Sequence, residues 1–575
     1  MEVISKLFAL TLLSCVVYIN TDKPCAPKQF PQKESIVCVC NATYCDDFIR
    51  QAPEEGSYVT YTSSKDGMRF KKEVRNFQND GKSIFRNTLS QMYKSLRHIF
   101  IKVMPPNKNQ TTKIKKKTHK QNGTCYDYLE IDPSTTYQTV EGFGSSVTDA
   151  AGMNWENLDP ALRYEMIKSY FSEEGLEYNM VRVPIGGSDF STHPYAYNEL
   201  PEDDINLTNY TLAPEDFQLK IPMLHQILNL SADAVHIVGT VWSPPPWMKT
   251  NDAYTGFSRL KREYYQTYAE YHMKFIEKYE AENIPIWAIT TTNEPVNGVF
   301  NLATFNTLGW TAGELGNWIL NYLGPTLRNS TFNKVKILTC DDQRYSIPFF
   351  FNILIKEYPE AINYIDGIAV HYYGDKIIPA SVLDIATRNH PDKFILATEA
   401  CEGSMPWEED VDLGSWGRAN GYITDIMEDL NHHVVGWIDW NMCLNTQGGP
   451  NWVSNFVDSP IIISDDKQEF YKQPMFYAMG HFSKFIPRGS IRIEVTKNKS
   501  SCRKPIQHVA FLTPRNTTVV VLANRGNARS VKVTCQGDTM FVHMNEHSIT
   551  SIEFVTKKGS NENSSLDISD FIPDF

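Results

Sequence analysis

The chain has 575 residues, too many for one ordinary domain, and its 42% hydrophobic and 12% aromatic residues are typical of a folded protein. A formal net charge of -12 at pH 7 argues against nucleic acid as a general partner. We therefore expect an acidic globular protein with one large domain and smaller attachments.

The first 20 residues have the pattern of a secretory signal peptide. Lys6 precedes an apolar run at residues 7–19 that is too short to span a bilayer comfortably. Four cysteines follow closely, namely Cys25, Cys38, Cys40 and Cys45, and they predict two small-loop disulfides in a secreted chain. An all-cysteine zinc cluster is the alternative. Cys401 and Cys443, in apolar contexts at strand ends, are expected to stay reduced.

Asn-x-Ser/Thr acceptor sequences recur along the chain and, in a secretory context, predict N-glycosylation. The candidate acceptors are Asn41, Asn122, Asn206, Asn209, Asn329 and Asn516.

The N-terminal third divides into two parts. Residues 21–75 hold the cysteines and short alternating segments, which predict a β segment that completes a later sandwich. Residues 76–135 are expected to be an insertion and linker, with a basic run at 113–120. That run is either a solvated insertion loop or a contact for anionic lipid or nucleic acid.

Residues 136–485 alternate between strand and helix patterns and predict a (β/α)8 TIM barrel. The eight expected strands are 140–144, 179–184, 235–242, 285–291, 335–340, 367–371, 394–399 and 434–440, with a β excursion near 442–475. An open doubly wound sheet is the alternative, but no Gly-rich dinucleotide fingerprint follows any strand. Residues 486–575 predict a C-terminal β-sandwich and a polar tail.

Two glutamates stand at matched strand ends. Residues 287–292 form an apolar, β-branched strand that stops at Asn293, Glu294 and Pro295, and the seventh strand ends at Glu399. Catalytic residues of parallel barrels come from such strand ends. Two facing carboxylates suit glycoside hydrolysis, in which one protonates the leaving oxygen and the other attacks or activates water. Each glutamate alone could instead cap a helix or pair with an arginine.

Aromatic and polar residues recur at the same expected rim of the barrel. They are Asp149, Arg182, Trp242, Trp247, His371, Tyr373 and Trp440. Sugars need flat faces for stacking and polar groups for hydrogen bonds, so this set is consistent with a carbohydrate site.

Long motifs then identify a family. The stretches 141–144, 147–151, 169–175, 293–295, 398–401 and 448–460, together with the cysteine stretch 38–45, resemble the lysosomal acid β-glucosidases, or glucosylceramidases, of glycoside hydrolase family 30. The resemblance covers nearly the whole mature chain except the insertion near 76–125. It implies a TIM barrel with an attached β-sandwich and a small disulfide-bearing N-terminal β segment.

The resemblance also implies residue roles. Glu294 would be the acid/base and Glu399 the nucleophile of a retaining glucosidase. Asp149, Trp242, Asn293, Trp440 and Asn455 would hold the glucose hydroxyls. Arg182, His371 and Tyr373 are expected to hydrogen-bond Glu399 and keep it ionised.

The family further implies glucosylceramide as substrate, a saposin-type activator, and the anionic inner surface of the lysosomal membrane as the place of action. No metal or cofactor is expected. One alternative is a related retaining enzyme for another sugar or aglycone, such as a xylosidase or a steryl-glucosidase. Another is a catalytically silent relative that binds glycolipid.

Overall fold

The computed structural model describes residues 22–78 and 125–556. The expected signal peptide, the basic run at 113–120 and the acceptor Asn122 lie outside these residues. None of the helices in the two described ranges has the length and apolar character needed to cross a bilayer.

Five strands precede the large domain. They are β1 (Pro27–Lys28), β2 (Val37–Asn41), β3 (Ser57–Ser64), β4 (Lys71–Asn76) and β5 (Tyr126–Thr139). The four early cysteines form two disulfides, Cys25–Cys38 and Cys40–Cys45. The predicted pair of small-loop disulfides is confirmed, and the zinc alternative is excluded because all four sulfur atoms are bonded in pairs.

Eight parallel strands close into a barrel. They are β6 (Gly142–Ser146), β7 (Met180–Ile185), β8 (His236–Val241), β9 (Ala288–Thr290), β10 (Lys336–Gln343), β11 (Gly367–His371), β12 (Phe394–Glu399) and β13 (Val434–Asp439). β13 pairs with β6, which closes the ring. The predicted (β/α)8 barrel is confirmed, and each of its eight strands overlaps an expected one. Buried aliphatic side chains fill the interior, among them Val238, Leu338 and Leu396.

Helices surround the barrel and build its loops. The α-helices are α1 (Asp149–Glu156), α2 (Pro160–Phe171), α3 (Ile221–Leu230), α4 (Tyr265–Ala281), α5 (Pro295–Phe300), α6 (Ala312–Trp318), α7 (Gly324–Arg328), α8 (Asn352–Glu357), α9 (Leu383–Asn389), α10 (Trp416–Asn431) and α11 (Pro474–Ser483). Short 3₁₀ turns and π-helical turns extend several of them, such as Ile347–Phe351 before α8. Since the loops after the strands are long, they can carry a site at one end of the barrel.

The β excursion forms a small sheet of its own with the N-terminus. Its strands β14 (Leu444–Asn445), β15 (Ile461–Ile463) and β16 (Glu469–Lys472) join β1 and β2 in the order β1-β2-β16-β15-β14. The expectation that residues 21–75 complete the sandwich is therefore correct only for β3 and β4. The disulfide-bearing part pairs with β16 instead, where Phe470 lies opposite Cys40.

The C-terminal strands build a nine-stranded sheet that folds into the sandwich. They are β17 (Ile491–Ser500), β18 (Gln507–Leu512), β19 (Thr517–Asn524), β20 (Arg529–Cys535), β21 (Asp538–Met544) and β22 (Ser548–Val555). The sheet order is β21-β20-β5-β17-β18-β19-β22-β3-β4. Apolar residues such as Val520 and Ile552 form the sandwich core.

The expected linker 76–135 needs a correction at its C-terminal end. Residues 126–135 belong to β5, which lies between β17 and β20 in the sandwich sheet. Buried and exposed side chains alternate at its start, with Leu129 and Ile131 buried, which is the pattern of a half-buried strand. A third disulfide, Cys125–Cys502, ties the start of this strand to the end of β17. The sequence reading missed this bond. Cys401 and Cys443 are free and buried, as expected.

Most glycosylation candidates within the described residues lie on the surface. Asn206, Asn209, Asn329 and Asn516 are exposed. Asn41 is half-buried, and its side-chain oxygen accepts hydrogen bonds from the backbone amides of Thr43 and Tyr44. Glycosylation at these sites stays a prediction.

Candidate active site

Glu294 and Glu399 face each other at the C-terminal end of the barrel. Glu399 is the last residue of β12, and Glu294 follows β9 and directly precedes Pro295, the first residue of α5. A carboxylate oxygen of Glu294 and one of Glu399 lie within 4.8 Å of each other. Both side chains are buried, with relative exposures of 8% for Glu294 and 6% for Glu399. The C-terminal ends of β9 and β12 thus bring two carboxylates close together, and both are largely shielded from water.

Glu294 is held by its backbone and by three side chains. Its φ of 42° and ψ of 64° are left-handed, a sparsely populated conformation for a residue with a Cβ. Its Oε1 accepts hydrogen bonds from Gln343 Nε2 at 2.9 Å and from His371 Nδ1 at 3.1 Å, and its Oε2 accepts one from Asn297 Nδ2. Strained backbone that neighbours fix in place is common at functional sites. The sequence reading missed Gln343 and Asn297.

Glu399 is bound by a guanidinium and a phenol. Arg182 Nη1 donates to its Oε2, and the Tyr373 hydroxyl donates to its Oε1 at 2.9 Å. Burial raises the pKa of Glu399, and the positive charges of His371 and Arg182 oppose that rise. The expected hydrogen bonds from Arg182 and Tyr373 to Glu399 are therefore present.

His371 was expected to hydrogen-bond Glu399, but its ring nitrogens bind two other carboxylates. Its Nδ1 donates to Glu294 and lies 3.9 Å from Glu399 Oε1, too far for a hydrogen bond. Its Nε2 donates to Asp341 Oδ1 at 3.0 Å. Burial alone would lower the pKa of His371, but the surrounding carboxylates outweigh it and raise the pKa to about 10. His371 is thus an imidazolium that binds Glu294 and Asp341, because both of its nitrogens face carboxylates.

Asp341 accepts hydrogen bonds from four side chains around the site. Its Oδ2 accepts hydrogen bonds from Arg182 at 2.8 Å and Thr290 at 2.7 Å, and its Oδ1 accepts from His371 and, at 2.6 Å, from Thr398. A bulge in β10 produces this arrangement, since Cys340 and Asp341 have φ values of 73° and 50°. Arg182 lowers the pKa of Asp341 below its usual range, against the effect of burial. The sequence reading did not single out Asp341.

The next residue adds a fourth carboxylate. Asp342 is 2% exposed, and its oxygens accept hydrogen bonds from the backbone amides of Gln343 and Val296. Burial, with the charge of Glu294, raises its pKa to about 7. Asp341, Asp342, Glu294 and Glu399 thus share a buried region with two cations, Arg182 and His371. This surplus of acids makes the region a place where protons are bound and exchanged.

A cavity of about 500 Å³ opens above the two glutamates. Four predicted sugar ligands line it: Trp242, Asn293, Trp440 and Asn455. The indoles of Trp242 and Trp440 stack on each other with centroids 5.0 Å apart. Asn293 Oδ1 accepts a hydrogen bond from Arg182 at 2.7 Å, so its Nδ2 is left to donate to a ligand. The volume and the mixture of rings and amides suit a small polar molecule such as a monosaccharide.

The fifth predicted sugar ligand is Asp149. It is absent from the cavity lining, and its Oδ2 accepts hydrogen bonds from Ser191 at 2.6 Å and Tyr195 at 2.9 Å. Its Oδ1 lies 3.8 Å from the ammonium of Lys220, within a buried structural network. Asp149 is the first residue of α1, and Ser191 and Tyr195, which donate to its side chain, belong to the loop after β7.

The aspartate that lines the cavity together with the two glutamates is Asp189, in the loop after β7. Its Oδ2 accepts hydrogen bonds from Asn455 at 3.0 Å and Asn451 at 3.3 Å. Burial raises the pKa of Asp189 to about 7, and the hydrogen bond from Asn455 opposes the rise. The available signal was its place, five residues beyond the end of a predicted strand and next to an aromatic residue, Phe190.

One histidine and two glutamates of the site have the spacing of a metal site, since ligand atoms of Glu294, His371 and Glu399 lie within 4.8 Å of one another. However, both ring nitrogens of His371 already have carboxylate partners, Nδ1 with Glu294 and Nε2 with Asp341. Glu399 already has the Arg182 guanidinium as its counter-ion. The arrangement therefore suits acid–base and nucleophilic chemistry by carboxylates rather than metal binding.

Comparison with known families agrees with this arrangement. Residues 140–486 match the glycosyl hydrolase family 30 TIM-barrel domain, and residues 489–552 match the family 30 β-sandwich domain. The chain is 38% identical to the lysosomal acid glucosylceramidase of Mus musculus over 529 residues, which cover 91% of this chain and 93% of the relative. It is 37% identical to the putative glucosylceramidase 3 of Caenorhabditis elegans over 562 residues, which cover 96% and 99%.

The fold also matches solved structures. SrfJ from Salmonella typhimurium superposes with a TM-score of 0.72 at 21% identity, covering 87% of this chain and 100% of that protein. At this identity the match establishes the shared fold alone. The domain matches and the full-length relatives establish more: this chain belongs to glycosyl hydrolase family 30 and is a glycoside hydrolase.

Proposed function

We propose that this protein is a retaining β-glucosidase that hydrolyses glucosylceramide to glucose and ceramide. The observation that carries the mechanism is the short separation of the two carboxylates, whose nearest oxygens lie within 4.8 Å. Retaining glycosidases place their carboxyl groups about 5–5.5 Å apart, whereas inverting enzymes need about 6.5–9.5 Å to admit a water. The glucosylceramidase relatives support the choice of substrate.

In the first step Glu399 attacks the anomeric carbon while Glu294 protonates the glycosidic oxygen. Arg182 and Tyr373 fix the two oxygens of Glu399, so the nucleophile is oriented before the sugar arrives. The proton on Glu294 passes to the leaving ceramide oxygen as the carbon–oxygen bond breaks. A glucosyl ester of Glu399 and free ceramide result.

In the second step Glu294 acts as a base. Once Glu399 is esterified its negative charge is gone, so Glu294 no longer experiences that repulsion and holds its own charge more easily. The imidazolium of His371 and the amides of Gln343 and Asn297 stabilise the Glu294 carboxylate through their hydrogen bonds. Glu294 then takes a proton from water as the water oxygen attacks the anomeric carbon. The bond from that carbon to the Glu399 oxygen breaks, which restores the Glu399 carboxylate and releases glucose.

The cavity supports recognition of a glucose ring. Asp189 and Asn455, which are hydrogen-bonded to each other, present polar atoms for sugar hydroxyls. Trp440 and Trp242 offer flat faces, and the Nδ2 of Asn293 is free to donate to the 2-hydroxyl beside the reacting carbon. We assign Asp189, rather than Asp149, to the sugar site.

The lipid part of the substrate requires access to a membrane surface. Large apolar side chains are exposed on the loops after β8 to β12, at the same end of the barrel as the cavity: Phe257, Phe300, Leu302, Phe349, Ile377 and Trp407. Leu302 also lines the cavity itself. We propose that these loops rest on anionic lysosomal membranes and that a saposin-type activator delivers or exposes the lipid there.

The test is hydrolysis of glucosylceramide in vesicles that contain anionic lipid, at about pH 5, where a carboxylic acid can remain protonated. Glu399→Gln is expected to abolish glucose release, and Glu294→Gln to reduce it by about 10²–10⁴-fold. With an activated aryl glucoside, azide should rescue Glu399→Gly as the α-glucosyl azide and Glu294→Gly as the β-glucosyl azide. Normal turnover by Glu399→Gln would contradict the nucleophile assignment.

The same assay separates the alternatives. Release of xylose from an aryl xyloside, with no action on glucosides, would favour a xylosidase. Action on steryl glucoside but not on glucosylceramide would favour the other aglycone. A folded protein that binds glucosylceramide vesicles and releases no sugar from any of these substrates would be a silent relative.

A further inference from the structure

The two carboxylate oxygens of Glu294 have different surroundings. Oε1 accepts hydrogen bonds from two donors, Gln343 Nε2 at 2.9 Å and His371 Nδ1 at 3.1 Å. Oε2 accepts one, from Asn297 Nδ2. A carboxylate oxygen has two in-plane lone pairs, so both on Oε1 are occupied and one on Oε2 is left for a proton. Oε2 is therefore the oxygen that can bind and release the catalytic proton.

The two donors to Oε1 are fixed by further partners. The backbone amide of Gly374 donates to Gln343 Oε1 at 2.9 Å, so the Gln343 side chain cannot reverse without losing that bond. His371 Nε2 is bound to Asp341 at 3.0 Å. Both side chains are buried. Oε1 therefore keeps its two hydrogen bonds, and proton exchange by Glu294 takes place at Oε2.

Asn297 reaches Oε2 from the first turn of α5. Glu294 is the N-cap of this helix and Asn297 its third residue, whose backbone amide donates to the Glu294 carbonyl at 3.0 Å. In a capping box, the side chain at this third position bonds to the backbone amide of the N-cap. Here that amide donates to the Asp341 carbonyl at 2.9 Å. The Asn297 side chain bonds to the Glu294 carboxylate instead.

Asn297 also faces the space in which the reaction takes place. It is half-buried and lines the cavity above the two glutamates. No donor within residues 22–78 and 125–556 hydrogen-bonds to its Oδ1. A side-chain amide both donates and accepts, so while Nδ2 binds Glu294 this oxygen can accept a hydrogen bond from a molecule in the cavity.

We propose that Glu294 exchanges its proton through Oε2 and that Asn297 is a positioning residue for the hydrolytic water. This inference rests on the retaining mechanism proposed above. One hydrogen of the water points to Glu294 Oε2 and the other to Asn297 Oδ1. As the water oxygen bonds to the anomeric carbon, the first hydrogen passes to Oε2 as a proton, and the bond from that carbon to Glu399 breaks with its electron pair returning to the carboxylate. The second hydrogen stays on the new hydroxyl of glucose.

The two chemical steps should depend on Asn297 to different extents. A hydrogen bond to the charged form of an acid favours that form. The bond from Asn297 Nδ2 thus supports Glu294 as the base of the second step and opposes the protonated form that the first step needs. A residue that merely kept Glu294 in place would serve both steps alike. Removal of the Asn297 amide should therefore slow the release of glucose from Glu399 but not the attack of Glu399 on the substrate.

Kinetics with 2,4-dinitrophenyl β-glucoside separate the two steps, because its leaving group departs without a proton and the second step becomes limiting. Asn297→Leu is nearly isosteric and removes both polar atoms. Its kcat should fall by about 10–100-fold, the effect of losing a hydrogen bond to a charged group. Its kcat/KM, which reports the first step, should stay within about twofold of wild type, so KM should fall with kcat. Rapid mixing should show a burst of dinitrophenol equal to the enzyme concentration.

Azide tests the role of the water, because it attacks the glucosyl ester without a base. It should restore the kcat of Asn297→Leu and yield β-glucosyl azide. For an alkyl β-glucoside, whose leaving group needs the proton of Glu294, kcat/KM should not fall. The matched control is Val299→Thr, which changes polarity at a half-buried position of the same helix and should keep wild-type kinetics.

Two results would overturn the role of Asn297 while leaving the proposed function intact. The first is a wild-type kcat for Asn297→Leu, which would make the amide dispensable. The second is a parallel loss of kcat and of kcat/KM for both glucosides, which would mean that Asn297 only holds Glu294 in place. By contrast, a wild-type protein that releases no dinitrophenol would contradict the proposed glucosidase itself, and this inference with it.

Discussion

The sandwich and the mouth of the barrel both bury charged side chains, but they balance them differently. In the sandwich, the main buried ion pairs are matched acid to base, Asp127 with Arg529 at 2.9 Å and Glu553 with Arg50 at 2.9 Å. Among the described residues, the mouth holds five buried carboxylates, including that of Asp189, for two cations, Arg182 and His371. A matched pair is structural and keeps its charge state. A surplus of acids binds protons, and proton exchange is what glycoside hydrolysis requires.

The largest expected effect is a loss of kcat when one of the buried carboxylates at the mouth of the barrel is neutralised. Asp341→Asn keeps the shape but removes the charge that holds both Arg182 and His371. We expect kcat to fall by about 10²-fold or more, because the groups that orient Glu399 and Glu294 lose their common anchor. The pKa of His371 should also fall, because His371 loses one of the carboxylates that raise it, and a change in its charge beside Glu294 should shift the kcat/KM profile in pH. An aryl β-glucoside assay across pH measures both.

Asp127→Asn is the matched control for that variant. It removes the acid of a buried pair in the sandwich and should lower the free energy of unfolding by about 3–5 kcal/mol. Its kcat should stay within about twofold of wild type, since Asp127 lies far from the barrel mouth. If Asp341→Asn kept normal kcat and an unshifted pH profile, Asp341 would be a structural residue like Asp127.

The next largest effect is a loss of stability in the sandwich, without a loss of activity. The Cys125–Cys502 disulfide joins residues 377 positions apart, at the edge where β5 meets β17. Replacing both cysteines by serine should lower the free energy of unfolding by about 2–5 kcal/mol. Folded protein should keep full activity at low temperature. Denaturant unfolding beside a glucosidase assay tests this, and a loss of kcat in the folded variant would contradict the separation of the two regions.

A smaller effect on kcat/KM should show which of two aspartates, Asp189 or Asp149, binds the sugar. Asp189→Asn should reduce kcat/KM for glucosides by about 10–100-fold, the value of hydrogen bonds to a charged group of about 1.5–3 kcal/mol. Asp149→Asn should instead lower Tm, because it weakens the network with Ser191, Tyr195 and Lys220. The reverse pattern would restore Asp149 as the sugar ligand.

These tests bear on how much of the protein could be predicted from its sequence. The eight barrel strands could be, because each is a short apolar run, and the glutamates could be, because each ends such a run. The apolar pattern that identifies each barrel strand lies within the few residues of that strand. By contrast, Asp149 and Asp189 both follow strand ends beside aromatic or small residues, and only the paths of the loops decide which one reaches the cavity.

Other misses have the same origin in tertiary structure. Asp341 faces the site only because a bulge in β10 gives it a positive φ, and nothing in the local sequence marks that bulge. β5 looked like part of a linker because its partners, β17 and β20, lie more than 350 residues further along the chain. His371 was placed correctly on its strand, but its choice between Glu294 and Glu399 depends on side-chain geometry.

The smallest effect is the pH dependence of stability, and it follows from the acids of the barrel. Burial raises the pKa of Asp189 and Asp342 to about 7 and that of Asp439 to about 8, far above the unfolded value of about 3.9. As pH falls from 8 to 5, the folded state binds protons that the unfolded state does not. The free energy of unfolding should therefore rise, with a limiting slope of about 1.4 kcal/mol per pH unit for each group while it is protonated in the folded state and ionised in the unfolded state.

Buried histidines oppose this trend over a lower range. Burial lowers the pKa of His272 to about 4 and that of His481 to about 3, so the unfolded state protonates first as pH falls below 6.5. The three carboxyls act between pH 8 and pH 4, and the two histidines act only below about 6.5. Tm should thus rise steeply from pH 8 to about pH 6.5 and more slowly below it, where the two histidines offset most of the effect of the three carboxyls. In Asp439→Asn the rise should be smaller by the share of one group, whereas an unchanged slope would mean that Asp439 is ionised throughout this range.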